Sequence, residues 1–154
     1  MKRLFYLLLL LGGLGSCSQD EPAPTPSLTG GVWTLQSQIT VGQPKDGSAP
    51  TTSAYPITET VTLNFQSETR FRMDVSRPAV AGAQRFEGAY TYQGQTLAFP
   101  AINAWPTPFV IPLTLHVAEL SAHRLVTERY WDEVDIGDGY YTPTSYITTS
   151  TYTR

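Results

Sequence analysis

The chain has 154 residues, with 10 Lys and Arg against 13 Asp and Glu, a formal net charge of −3 and a single cysteine. That balance excludes the clustered basic surface that nucleic-acid phosphates and anionic lipid headgroups reward, and one cysteine excludes an internal disulfide framework. Frequent Thr, Tyr, Val and Phe, punctuated by Gly and Pro and without sustained helical periodicity, make this an all-β composition.

Lys2 and Arg3 precede an apolar run, Leu4 to Leu11, which continues through small residues to Ser16. A charged start, a short apolar stretch and small residues before a cut site describe a secretory signal peptide over residues 1–16. The run is about a dozen residues where a membrane-spanning helix needs roughly 20, so a permanent anchor helix is not expected. The segment Leu14-Gly15-Ser16-Cys17 resembles the lipobox of bacterial lipoproteins. That resemblance implies that Cys17 is diacylated, becomes the first residue of the mature chain and holds the protein on a membrane by its lipids. Ser18, directly after the cysteine, resembles lipoproteins sent on to the outer membrane of the cell envelope. Asp20-Glu21 resembles a signal for display on the cell surface; read as plain chemistry, the pair is a solvated charged tether. Pro22, Pro24 and Pro26 make an extended, semi-rigid spacer. Residues 17–27 are therefore read as a lipidated tether, and 28–154 as the folded domain. Cleavage after Ser16 removes two of the ten basic residues and no acidic one, leaving 8 against 13 and a formal charge of −5. About 125 residues remain, enough for one domain with a real core.

Eight stretches then read as strands: Val32–Thr40, Glu59–Gln66, Thr69–Ser76, Arg85–Gln93, Thr96–Phe99, Leu113–Leu120, Arg124–Trp131 and Ser145–Thr153. Several alternate. Val61, Leu63 and Phe65 oppose Thr60, Thr62 and Asn64, and Phe71, Met73 and Val75 oppose Arg70, Arg72 and Asp74. Successive side chains in a strand point to opposite faces, so each of these has one dry and one wet face. Trp33, Leu35 and Ile39 extend the dry face in the first strand, and Phe86, Tyr90 and Tyr92 in the fourth. The connections alternate as well. Val41–Thr58, Arg77–Gln84, Pro100–Pro112 and Asp132–Thr144 are the longer ones, and Ser67–Glu68, Gly94–Gln95 and Ser121–His123 are tight. If neighbouring strands pair up and down, all the longer loops gather at one end and all the tight turns at the other. The expected fold is an eight-stranded antiparallel up-and-down barrel with a shut base and an elaborated mouth, and a β-sandwich is the alternative. Eight strands enclose a space that side chains fill or that holds one small ligand.

Gly31-Val32-Trp33, opening the first strand after the tether, resembles the Gly-x-Trp motif that starts the lipocalin barrel. The stretch FEGAYTYQGQTLAF resembles the GxYxxxGxxLxF hairpin of bacterial lipocalin-like lipoproteins, and LTLHVAELSAHRLVTER the hairpin that follows it there. The similarity spans most of Leu28 to Arg154. It implies a lipocalin-like barrel in which Gly31 and Trp33 are structural and Trp33 plugs the closed base beneath a basic residue. Arg129 and Arg154 are both candidates for that residue. The chain departs from the lipocalin pattern in having no cysteine pair to tie down its C-terminal segment.

Chemistry-bearing residues are sparse. His116, Glu119 and His123 have metal-capable side chains but straddle a tight turn, and zinc needs three or four converging ligands. Asp132, Glu133, Asp135 and Asp138, with Gly137 and Gly139, suggest calcium but miss the alternating spacing of a calcium loop. No nucleophile motif and no phosphate cradle is present, so neither catalysis, nor a resident metal, nor a cofactor is expected. The seventh strand is anomalous. Its faces read Leu125, Thr127, Arg129, Trp131 and Val126, Glu128, Tyr130, so whichever turns inward carries a charge that must be paired, hydrated or near the mouth. Leu125 continues the apolar phase after the turn, which favours Arg129 as the inner group. Phe65, Phe71, Met73, Tyr90, Phe99 and Leu115 are the expected apolar lining. Trp105, Phe109, Tyr140 and Tyr141 collect aromatic groups on two loops at the mouth, where they contact a ligand, a membrane or a protein, or fold inward as a cap. The leading expectation is a membrane-anchored barrel binding a small apolar or amphipathic ligand. The rival is a solidly packed interaction module that docks a protein or glycan through those loops.

Overall fold

The computed structural model describes residues 26–78, 82–104, 109–132 and 143–154, and all regular structure among them is strand. The elements are β1 (Val32–Pro44), β2 (Thr51–Tyr55), β3 (Thr60–Phe65), β4 (Arg70–Ser76), β5 (Gln84–Ala89), β6 (Thr91–Gln93), β7 (Thr96–Ala104), β8 (Phe109–Leu120), β9 (Arg124–Asp132) and β10 (Thr144–Thr153). Pairing is antiparallel throughout and runs β10-β9-β8-β7-β5-β4-β3-β1, and β1 pairs with β10 over Thr34–Pro44, so the sheet curls round on itself as a barrel.

There are ten strands rather than eight, for two local reasons. First, most of the expected loop Val41–Thr58 is strand. β1 runs on to Pro44, and the chain turns back through residues 45–50 to pair as β2, from Gln38↔Tyr55 to Gly42↔Thr51. All five residues of β2 are exposed, so no apolar alternation announces it. Pro56 has no N–H to offer a ladder, and the chain leaves β1 there before returning as β3 against Val32–Thr34. Second, Arg85–Gln93 divides at Tyr90. Its N–H donates to Thr69 O at 2.9 Å and its hydroxyl to Ser67 O at 2.8 Å, tying it to the β3–β4 turn. The expected loop Pro100–Pro112 is likewise mostly strand, belonging to β7 and β8.

Up-and-down pairing sends the strand ends before and after 45–50, 77–83, 105–108 and 133–143 to one end, the mouth, and the tight turns 66–69, 94–95 and 121–123 to the other, the base. The base half is packed solid. Trp33, Leu63, Phe65, Phe71, Tyr90, Leu97, Phe99, Val117 and Leu125 are all buried. Phe71 meets Phe99 edge-on at 4.5 Å, and Phe65 meets Tyr90 edge-on at 4.9 Å.

A β-bulge changes the chemistry of the interior part-way up. Leu35 pairs with Tyr152 and Ser37 with Thr151, so Gln36 is an extra residue in β1. One inserted residue moves every later side chain to the opposite face. Below the bulge, Trp33 and Leu35 point inward; above it, Gln38, Thr40 and Gly42 do. Ile39, expected on the dry face, is therefore outside and 41% exposed. Tyr92, also expected to be dry, is exposed at the base rim. Gly42 allows a close approach: a Cβ there would lie 2.9 Å from both Tyr146 Cε1 and Thr51 Oγ1.

Trp33 closes the base. Its indole N–H donates to Leu28 O at 2.8 Å, and the Arg154 guanidinium lies 4.2 Å above its ring. Of the two basic candidates, Arg154 covers the tryptophan. Gly31 leaves room for it, since a Cβ there would lie 3.0 Å from Arg154 Cδ.

Candidate functional site

Above the packed base the interior opens into a cavity of about 350 Å³, within the range of about 300–1,000 Å³ typical of small-molecule sites. Register decides its lining. β10 offers Thr148, Ser150 and Tyr152, paired across with Arg129, Thr127 and Leu125 of β9 and with Thr40, Gln38 and Leu35 of β1. Gln38, Thr40, Thr127, Arg129, Thr148 and Ser150 supply polar groups to the wall. Leu113 and Leu115 of β8, with Tyr55, Trp131 and Tyr152, supply the apolar surface. The polar groups are largely preorganised. Gln38 Nε2 donates to Ser150 Oγ at 3.3 Å, the Thr40 and Thr148 hydroxyls are 2.9 Å apart, and Trp131 Nε1 donates to Thr148 Oγ1 at 3.3 Å. At the rim, Trp131 stacks on Tyr146 at 4.2 Å and 15°.

Arg129 stands out. It shares the inner face with Thr127 and borders the cavity, whereas Glu128 is on the outer face, where its carboxylate accepts the Tyr130 hydroxyl at 2.7 Å. Among the described residues no carboxylate or hydrogen-bond acceptor engages the Arg129 guanidinium; the ion pairs there join Lys45–Asp132, Arg72–Asp74, Arg77–Glu59, Arg85–Asp74 and Arg124–Glu119. A planar guanidinium at a cavity wall, without a partner among the described residues, is suited to a carboxylate, sulfate or phosphate group.

Tyr152 sits where cavity and core meet. Burial pushes its phenol up to about 12, and a hydrogen bond with Ser150 works weakly the other way. The folded state therefore favours the neutral phenol. This contribution to stability is complete below pH 10, the ordinary tyrosine value, and is lost as pH rises toward 12. The two-unit gap corresponds to roughly 2–3 kcal/mol. Urea denaturation of the wild type from pH 9 to 12 is expected to show this decline, and Tyr152→Phe is expected to remove it. Parallel curves for the two proteins would refute the assignment.

The other expected site residues fall into three groups. Leu115 and Arg129 border the cavity. Phe65, Phe71, Tyr90 and Phe99 lie in the packed base, and Met73 packs against that cluster; none of the five borders the cavity, because side chains fill the barrel below the bulge. Cys17, Trp105, Tyr140 and Tyr141 lie outside the described residues, and Phe109 is described only as the start of β8. Sequence reasoning did not find Gln38, Thr40, Tyr55, Leu113, Thr127, Trp131, Thr148, Ser150 or Tyr152. In β10 both faces are rich in hydroxyls, so alternation carries no sign of which is inner, and the bulge at Gln36 has no sequence marker. His116 lies on the outer face of β8 opposite Glu128, and His123 in an exposed turn. Asp132 is exposed, paired with Lys45 at 3.4 Å. Among the described residues no three metal-capable side chains converge.

No family model and no curated protein matches the chain. Among solved structures it is similar to a polyisoprenoid-binding domain from Saccharophagus degradans implicated in plant cell wall breakdown, with 11% identity, a TM-score of 0.38, and coverage of 79% of this chain and 97% of that one. At that distance neither residue roles nor a ligand carry across.

Proposed function

We propose that this protein is a lipid-anchored, lipocalin-like barrel of the bacterial cell envelope that binds a small amphipathic molecule at its mouth, and that it is a binding protein rather than an enzyme. One observation carries the reading: a cavity of about 350 Å³ whose wall carries a guanidinium without a partner among the described residues, above a base that needs no ligand to be packed. The lipobox-like Leu14–Cys17 and the proline-rich tether support the anchored half of the reading. In that arrangement Cys17 fixes the protein to the outer membrane, and the barrel samples the space beside it.

The chain from Ser18 to Arg154 contains every strand and every core residue described above, and it is the form to test. Purified from a bacterial host and extracted with organic solvent, it is expected to release a stoichiometric small molecule detectable by mass spectrometry. Thr127→Trp, which fills the cavity, is expected to release none. Equal yields from both proteins would overturn the assignment of the site. A blank from both would favour the interaction-module reading, which has one observation of its own: Val41, Ile147 and Tyr130 form an apolar row across the outer face of β1, β10 and β9.

A further inference from the structure

β9, β10 and β1 face the mouth cavity as three registered rows, with successive inner-face residues of a strand roughly 7 Å apart. The lowest row is Thr127, Ser150 and Gln38, and the middle row is Arg129, Thr148 and Thr40. The row at the rim is Trp131, Tyr146 and Gly42. The lower two rows are polar throughout, made of hydroxyls, one amide and one guanidinium. The rim row is aromatic and held in shape. Gly42 leaves the space that Tyr146 Cε1 occupies, and Trp131 stacks on Tyr146. The Trp131 indole N–H is tied to Thr148 Oγ1 in the row beneath. Trp131 is nevertheless 40% exposed, and it borders the cavity.

We infer that the ligand is a carboxylated saccharide, with its carboxylate on Arg129, its hydroxyls on the two polar rows and a C–H face of its ring against Trp131. The inference rests on the binding function proposed above and assigns that site's ligand class. A pyranose is amphipathic in the required sense: hydroxyls surround its edge, while its faces carry C–H groups that suit the electron-rich face of an aromatic ring. The hydroxyls and the amide of the wall both donate and accept, as sugar hydroxyls do, so the two sets pair in place of water. An alkyl chain laid over the same rows would take them out of water and return no hydrogen bond, which is costly. A bare inorganic anion would answer Arg129 but leave the rings and the lowest row unused. A neutral sugar would leave the guanidinium unanswered. The cavity volume of about 350 Å³ equals that of roughly a dozen waters in the liquid, the size of one hexose unit.

The test is a nuclear magnetic resonance titration of Ser18–Arg154, followed through the Trp131 indole N–H and the backbone amides of β9 and β10. The probes are the methyl glycosides of glucuronate and galacturonate, the neutral methyl glucoside and methyl galactoside, and hexanoate, which has the carboxylate without the hydroxyls. At least one uronoside is expected to bind roughly tenfold more tightly than its neutral counterpart and than hexanoate. Arg129→Gln is expected to abolish the preference over the neutral sugar, and Trp131→Ala to weaken uronoside binding roughly fivefold. A galacturonate trimer separates two sources of this chemistry, binding better than the monosaccharide if the unit belongs to a glycan and no better if the sugar acid is free. Hexanoate binding as tightly as the uronosides, and lost in Thr127→Trp, would overturn the saccharide and leave the cavity a site for another ligand class. Uronoside binding that survives Thr127→Trp would place the sugar elsewhere and overturn the inference. No response to any sugar would overturn it as well; the solvent extraction tests the cavity without a sugar, so the two failures are read apart.

Discussion

Trp33→Ala is expected to cost about 3–5 kcal/mol of unfolding free energy, and Arg154→Ala about 2–3 kcal/mol, measured by urea denaturation. The size of the effect follows from how much of the base hangs on this pair. Trp33 is fully buried and donates to Leu28 O, which fixes the point where the chain enters the barrel. Arg154 lies over the ring and donates to Ala122 O in the β8–β9 turn and to Thr29 O, both at 2.7 Å. Its own N–H reaches His123 O at 3.3 Å. Two side chains thus join the first strand, the last strand and a turn between two others, across a separation of more than a hundred residues. Arg154→Lys keeps the charge but not the planar fork, so it should recover less than half of the loss. A cycle of Trp33→Phe with Arg154→Ala, chosen because both variants should still fold, is expected to give a coupling of about 1 kcal/mol. Strict additivity would mean that the guanidinium stabilises the turns alone and not the indole.

The all-β class, the antiparallel pairing and the segregation of tight turns to one end were legible because they rest on local signals. Leu63 and Phe65, Phe71 and Met73, Leu97 and Phe99 alternate cleanly, and alternation is what a strand with one dry face must show. The same signal fails wherever both faces are polar or the phase slips. β2 is Thr51-Thr52-Ser53-Ala54-Tyr55, held to β1 by backbone bonds with every side chain exposed. No pattern of hydropathy distinguishes such a strand from a loop. Ile39 was misplaced because one uncounted residue, Gln36, reverses all that follows it.

The site suffered most from that slip. Reading apolar inward-pointing residues as ligand lining assumes that the interior has one chemistry from base to mouth. Here the bulge divides it: apolar side chains meet and fill the base, while hydroxyls, the Gln38 amide and Arg129 join Leu113, Leu115 and aromatic rings around the part that stays open. Arg129 was legible because a charge within an alternating strand has to be accounted for. Thr40, Thr148 and Ser150 were not, since a threonine facing a cavity and one facing solvent look alike in sequence.

That division has an energetic counterpart. Phe99→Ala is expected to destabilise the barrel by about 3–5 kcal/mol, whereas Arg129→Gln is expected to change its stability by no more than about 0.5 kcal/mol. Phe99 is buried, meets Phe71 edge-on at 4.5 Å and lies 6.3 Å from Tyr90, so truncation leaves a void among rings held by three different strands or connections. Arg129 is exposed at the mouth and, among the described residues, has no partner to lose. Both values come from one set of urea curves. A fold that concentrates its stability at the base leaves the residues at the mouth to be chosen for what they bind, and Arg129, which has no partner among the described residues, is such a residue. A large loss on Arg129→Gln would show instead that the guanidinium is a structural contact, which would remove the main reason to place an anionic group beside it.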